Sequence, residues 1–182
     1  GGDMKAAVCV LAGGEAVLSE HLGELANPAA YRNFLRAIDQ FAALRVADVR
    51  AGMDWAGLMH YGSISADIRP LYRTRAVGIA RTARYLPFQG PVPAFTGDKY
   101  AMWSRWYTSA VCTAPWEETL QPGDFVVIDQ SGMDAGLLGA ASTLTGAGKG
   151  VRGYLTNGGL RDTDEIITQQ IPCWSRQVSQ SM

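Results

Sequence analysis

The stretch Gly123–Asp162, GDFVVIDQSGMDAGLLGAASTLTGAGKGVRGYLTNGGLRD, decides the fold. Phe125 to Asp129 is a short apolar run ending in a carboxylate, the pattern of a strand buried on both faces. The turn Gln121-Pro122-Gly123-Asp124 precedes it. Gln130 to Gly150 is rich in small residues, and its second half, Ala140 to Lys149, reads as a helix despite its glycines. Val151 to Thr156 reads as the next strand, and Asn157-Gly158-Gly159 as a tight turn with positive φ. Arg161-Asp162 follows at once. Thr163-Asp164-Glu165 opens a short helix capped by Asp162 or Thr163, and Ile171 to Trp174 closes the run as a strand. Strand, helix, strand, helix, strand makes an α/β domain, in which functional groups gather at the loops following strand ends.

Upstream the signals are more local. Ala76 to Leu86 reads as a strand, and Ile68 to Leu71 as extended, because the residue before Pro70 avoids the α region. Pro87 to Gly97 carries three prolines and reads as a loop. Val46 to Met59 reads as a helix. Ala29 to Leu44 is another, with Phe34, Leu35, Ile38, Phe41 and Ala42 on one face, Asn27 as its cap and Pro28 at its first position. Glu15 to Leu25 reads as a short helix, so residues 1–42 are expected to form an N-terminal helical extension to a domain over 43–182. Ala6 to Ala12 reads as a first strand or a helix start. Trp103, Trp106, Tyr107 and Trp116 read as core or subunit interface.

Composition narrows the function. The chain has 182 residues with a formal net charge of -1, and its Lys and Arg are scattered, which argues against a nucleic-acid partner. No apolar run approaches the roughly 20 residues that span a bilayer, so no membrane partner is expected. Cys9, Cys112 and Cys173 lie far apart, without metal-ligand spacing, and read as reduced thiols of a cytoplasmic protein. No dinucleotide or phosphate-loop fingerprint occurs, and neither His21 nor His60 sits in a nucleophile signature.

What remains is Arg161-Asp162 opposite the glycine-rich helix start. Free N–H groups at a helix beginning near Gly139-Ala140 can seat a carboxylate, Arg161 can steady an enolate oxygen, and Asp162 can hold Mg²⁺ or Mn²⁺. The set suits a small 2-oxo acid. Competing uses of the same residues are simple helix capping and tight turning.

At these residues the chain resembles the RraA-like family, which groups the regulator of ribonuclease E activity with 4-hydroxy-4-methyl-2-oxoglutarate aldolases and carries many "demethylmenaquinone methyltransferase" labels. GVRGYLTNGGLRDTDEI (Gly150 to Ile166) is similar to the family's "G-x-x-G-V-V-x-D-G-x-V-R-D-x-x-x-I". IRPLYRTRAVGIARTARY (Ile68 to Tyr85), PGDFVVIDQSG (Pro122 to Gly132) and LRVADVRAGMD (Leu44 to Asp54) resemble further family segments in the same order. The resemblance implies a swivelling β/β/α domain in a homotrimer or homohexamer, with active sites between subunits. It implies that Arg161 steadies the keto or enolate oxygen, that Asp162 is the single protein carboxylate on a divalent metal, and that the backbone of Gly139, Ala140, Ala141 and Ser142 seats the pyruvate carboxylate. The expected activity is metal-dependent lysis of a 2-oxo acid, by retro-aldol cleavage to pyruvate or by oxaloacetate decarboxylation; the alternative is a non-catalytic regulator acting through its oligomer surface. Two departures stand out. Ala140 occupies a position where the aldolases carry Asp or Glu, and the chain stops at Met182, before a tail expected to give the neighbouring site an acidic residue.

Overall fold

The computed structural model describes residues 7–11, 15–18, 27–59 and 61–181. Its centre is a seven-stranded sheet in the order β2-β1-β4-β5-β7-β9-β3. The strands are β1 (Ala7–Leu11), β2 (Glu15–Leu18), β3 (Arg69–Pro70), β4 (Ala76–Arg84), β5 (Asp124–Asp129), β7 (Gly153–Thr156) and β9 (Cys173–Ser175). β4, β5, β7 and β9 run parallel, so all four end at one edge of the sheet. The α/β class expected from the Gly123–Asp162 stretch is therefore correct.

Each parallel strand after β4 continues into a short strand of a second, three-stranded sheet, in the order β10-β8-β6. These are β6 (Gly136–Leu138), β8 (Gly159–Leu160) and β10 (Gln177–Val178), and both pairings are parallel. This second layer was not legible in the sequence, because strands of two or three residues carry no periodicity. It is also what brings Gly139 and Arg161 together, since both lie just past the ends of paired strands.

The helices expected after Asn27, at Val46, at Ala140 and at Thr163 are present. α1 (Pro28–Asp39) starts with the Asn27 side chain accepting from the Ala29 amide and with Pro28 in the first turn. α2 (Val46–Trp55) is shorter than Val46 to Met59, and α4 (Ala140–Gly148) matches expectation closely. α3 (Lys99–Trp106) carries two of the tryptophans, and α5 (Thr163–Thr168) follows Arg161-Asp162.

Two expectations are corrected. The helix expected over Glu15 to Leu25 is, at Glu15–Leu18, a strand pairing antiparallel with β1, and β1 in turn pairs with β4. The strands Ala7–Leu11 and Glu15–Leu18 thus join the main sheet, and helix α1 follows within the same amino-terminal stretch. Residues 19–26 lie outside the described residues, as do His21 and His60. The second correction concerns Gly158 and Gly159, neither of which has positive φ. They are small for lack of space: a Cβ on Gly158 would strike the Gln130 amide, and one on Gly159 would lie 2.6 Å from the Ala135 carbonyl.

The sheet is packed on both faces, as a parallel sheet requires. Val126, Ile128, Tyr154 and Ile166 lie in one buried cluster with Leu138 and Leu160 of the second sheet; Phe125, Leu155 and Trp174 lie in another. Alternation along β5 and β7 sends neighbouring side chains to opposite faces. α1 is fastened by a buried polar knot. The Tyr31 hydroxyl donates to Asp124 at 2.9 Å, and Arg81 Nε and the Gln121 amide donate to the same fully buried carboxylate at 3.1 and 2.8 Å. No helix among the described residues is long and apolar enough to cross a membrane.

Candidate active site

The site forms where β6 and β8 end side by side. The Arg161 amide donates to the Leu138 carbonyl at 3.0 Å, fixing one exit against the other. The chain then turns sharply, and Asp162 takes the left-handed conformation, φ 51°, ψ 41°. A non-glycine residue there stores strain, which aspartate tolerates better than most. Asp162 occupies the N-cap position of α5, as expected, but its side chain makes no capping bond to that helix.

The carboxylate is turned instead toward α4. Asp162 Oδ2 accepts from the Ala140 amide at 3.3 Å, and Oδ1 lies 3.4 Å from Arg161 Nε. Both contacts are long, so neither oxygen is saturated. Gly139 makes the approach possible: a Cβ there would stand 2.6 Å from Asp162 Oδ2 and 2.8 Å from Arg161 Cγ. The amides of Ala141 and Ser142, in the first turn of α4, have no carbonyl one turn back within the helix. The six residues singled out in the sequence (Gly139, Ala140, Ala141, Ser142, Arg161 and Asp162) are therefore gathered at one place.

Arg161 is the cation of this place. Its side chain is 29% exposed and that of Asp162 37%. Among the described residues its side chain's only hydrogen bond is the weak one from Nε to Asp162, so both terminal amino groups remain free to donate. A planar guanidinium with two free NH₂ groups beside a helix start suits a carboxylate or an oxyanion.

Two residues the sequence reading did not single out for chemistry feel the Arg161 charge. Tyr107 and Cys112 flank a π-turn (Tyr107–Val111) that follows α3. The Tyr107 hydroxyl and the Cys112 thiol influence each other's titration, and the Arg161 charge lowers both. Burial is the main reason the Tyr107 hydroxyl is pushed up to about 12; the cation opposes it. Burial likewise raises the Cys112 thiol, against the opposing pull of Tyr107 and Arg161. This segment is held to the sheet by Tyr85, at the end of β4, whose hydroxyl donates to the Thr113 carbonyl at 2.7 Å and accepts from Trp116 Nε1 at 2.7 Å. Trp103 and Tyr107, four residues apart and stacked at 5.0 Å, were the available signal.

A divalent metal fits the donor set in a limited way. Asp162 is a hard oxygen donor whose two oxygens are held only by long contacts, beside a cradle that a Cβ at Gly139 would fill. Mg²⁺ accepts such sites, with one carboxylate from the protein and the other positions taken by water and substrate. Among the described residues no group of three or more His, Cys, Asp or Glu side chains is gathered to hold a metal.

Comparisons with known proteins bear on the fold and the family. Carbamoyltransferase HypF of Rhodobacter capsulatus is 34% identical over 84 residues, 46% of this chain but 10% of that protein. Among solved structures, one described as novel cellulases from microbes associated with the gut ecosystem superposes with a TM-score of 0.58 at 24% identity, covering 82% of this chain and 60% of that one. RraAS2 of Streptomyces coelicolor, described as an unusual member of the RNase ES inhibitor RraA protein family, gives 0.57 at 22%, covering 78% and 63%. The chain thus spans a tenth of that curated relative and about three fifths of these two structures, whose likeness is one of fold. Residues 43–181 match the family described as RraA-like, Aldolase/RraA, and the chain belongs to that family.

Proposed function

We propose that this protein is a divalent-metal-dependent carbon–carbon lyase acting on a small 2-oxo acid, by retro-aldol cleavage of a 4-hydroxy-2-oxo acid to pyruvate or by oxaloacetate decarboxylation. The observation that carries the reading is the turning of Asp162 away from the helix it heads and toward the first turn of α4. The Aldolase/RraA family supports the reaction class.

Each residue has a distinct task in this reading. The Ala141 and Ser142 amides, with the partial positive charge of the α4 terminus, bind the substrate carboxylate. Arg161 donates its free amino groups to the 2-oxo oxygen, where negative charge grows as the carbon–carbon bond breaks. Asp162 would hold Mg²⁺ or Mn²⁺, which supplies Lewis-acid polarisation of the same oxygen. Gly139 keeps the space between them open. A homotrimer or homohexamer with sites between subunits completes the proposal. The test is pyruvate release from 4-hydroxy-2-oxo acids and oxaloacetate with Mg²⁺. Loss of release on chelation and in Asp162→Ala is expected; indifference to both would exclude the mechanism.

A second reading is favoured by Ala140. Ala140 brings no carboxylate to the start of α4, and among the described residues the side-chain carboxylate bonded to an amide there is that of Asp162. Under that reading the protein is a non-catalytic regulator, in line with the ribonuclease-inhibitor description of its Streptomyces neighbour. Binding of pyruvate without turnover of any 2-oxo acid would favour it.

A further inference from the structure

At the edge of the main sheet where β4 and β7 start, opposite the edge that leads to Arg161, the chain leaves a cavity of about 380 Å³. Its origin is local. Leu44 and Arg45 are both extended, so the helical run breaks there, and the 3₁₀ turn Gln40–Ala43 after α1 is separated from α2. Phe41 and Leu44 before the break, Val46 and Val49 one turn apart on α2, and Val77 at the start of β4 line the cavity. Phe41 and Leu44 are 41% and 44% exposed, so part of this apolar lining is left open to water.

Three charged side chains line the same cavity: Asp39, Arg75 and Arg152. Arg152 is already engaged, its Nη2 meeting Asp39 at 2.6 Å and its Nη1 donating to the Val77 carbonyl at 3.3 Å. Arg75 Nη1 donates to the Leu44 carbonyl at 2.8 Å, which ties the break to the start of the sheet. Among the described residues Arg75 Nε and Nη2, the side-by-side pair of its fork, make no hydrogen bond. Two cations against one anion leave the lining one positive charge in excess.

We infer that this cavity binds a small aliphatic monocarboxylate, with its carboxylate on Arg75 and its hydrocarbon chain against Leu44, Val46, Val49 and Val77. The volume falls within the range of small-molecule sites, roughly 300–1,000 Å³, which are likewise mostly apolar with a few fixed polar groups. Charge selects the head group. A carboxylate takes both free donors of the Arg75 fork, an alcohol cannot pair with them bidentately, and a cation meets the excess positive charge. The site is separate from the carboxylate seat at α4 and does not depend on the lyase reading.

The test is calorimetric titration of the full chain with octanoate, octanol and octylammonium, each below the concentration at which it aggregates. Octanoate is expected to bind tightest. Arg75→Gln is expected to weaken octanoate by about tenfold or more, the ratio a charge-assisted hydrogen bond supplies, and to leave octanol unchanged. Ala42 lines the cavity from an exposed position, so Ala42→Trp is expected to fill it and to remove binding of both. Arg75 is also exposed, so Arg75→Gln still reads the head-group contact if Ala42→Trp fails to fold. Arg161→Ala is expected to leave octanoate binding unchanged; its loss there would put the carboxylate at α4 and overturn the assignment. Octanoate that binds no tighter than octylammonium, or binds Arg75→Gln and a folded Ala42→Trp as it binds wild type, would also overturn it. So would octanoate that does not bind at all, which would leave Phe41 and Leu44 as a contact for another protein chain.

Discussion

The Asp162 carboxylate lies 3.3 Å from the Ala140 amide, across the gap between two strand exits, although the backbone of Asp162 caps a different helix. A side chain used only for capping would bond to the amides of its own helix. This one is held at φ 51° and points elsewhere.

That geometry sets stability against function at one residue. Glycine adopts the left-handed region without a Cβ penalty, so Asp162→Gly is expected to stabilise the fold by about 1 kcal/mol. The same change is expected to abolish the Mg²⁺-dependent gain in melting temperature with pyruvate. Urea unfolding and thermal shift measure the two effects separately, and a destabilised Asp162→Gly would mean that the carboxylate mainly secures the fold.

Gly139→Ala places a methyl group 2.6 Å from Asp162 Oδ2 and 2.8 Å from Arg161 Cγ. Both functional side chains must move. The expected result is loss of pyruvate binding, with a smaller fall in unfolding free energy, read by titration and urea melts; normal pyruvate affinity would show that the cradle is not needed.

Arg161→Ala is expected to lower the rate constant for pyruvate release by a factor on the order of 10² to 10³, the effect of removing one oxyanion donor. Arg161→Lys keeps the charge without the forked pair of donors and is expected to recover only part of the activity. Steady-state kinetics at saturating substrate distinguish these outcomes from a binding defect.

Tyr31→Phe removes one of three donors from the fully buried Asp124 carboxylate. Leaving a buried charge short of a donor costs about 1–3 kcal/mol. Because the knot ties α1 to the sheet, hydrogen exchange in α1 is expected to accelerate along with the loss of global stability.

Asp129 titrates below the ordinary carboxylate range, chiefly because Asn157 Nδ2 donates to it at 2.7 Å, with the Ser131 amide and the Arg84 charge adding to the effect. A depressed folded pKa means a contribution to stability that is present above the unfolded pKa, about 3.9, and is lost as pH falls through the folded value. The stability difference between wild type and Asp129→Asn, from urea unfolding, is expected to favour wild type near neutrality and to disappear under acid.

The central strands and α4 were legible because their signals are local. Phe125 to Asp129 is apolar throughout, and Asn27-Pro28 caps a helix by rules needing no partner. Arg161-Asp162 was found by its place after a strand. Glu15–Leu18 reads as helix from its own residues and is a strand because it pairs with β1, which is held in the sheet by β4, far along the chain. Tyr107 and Cys112 lie about fifty residues from Arg161, and no spacing rule connects them.

By itself the sequence determined which strands would be buried, where the main helices would begin, and which guanidinium and carboxylate would stand at a loop. Tertiary structure alone decided which way Asp162 faces and that β6 and β8 end together. Periodicity and capping act within a few residues, whereas a site is made by the register of strands distant in the chain and by the room left where a Cβ is absent.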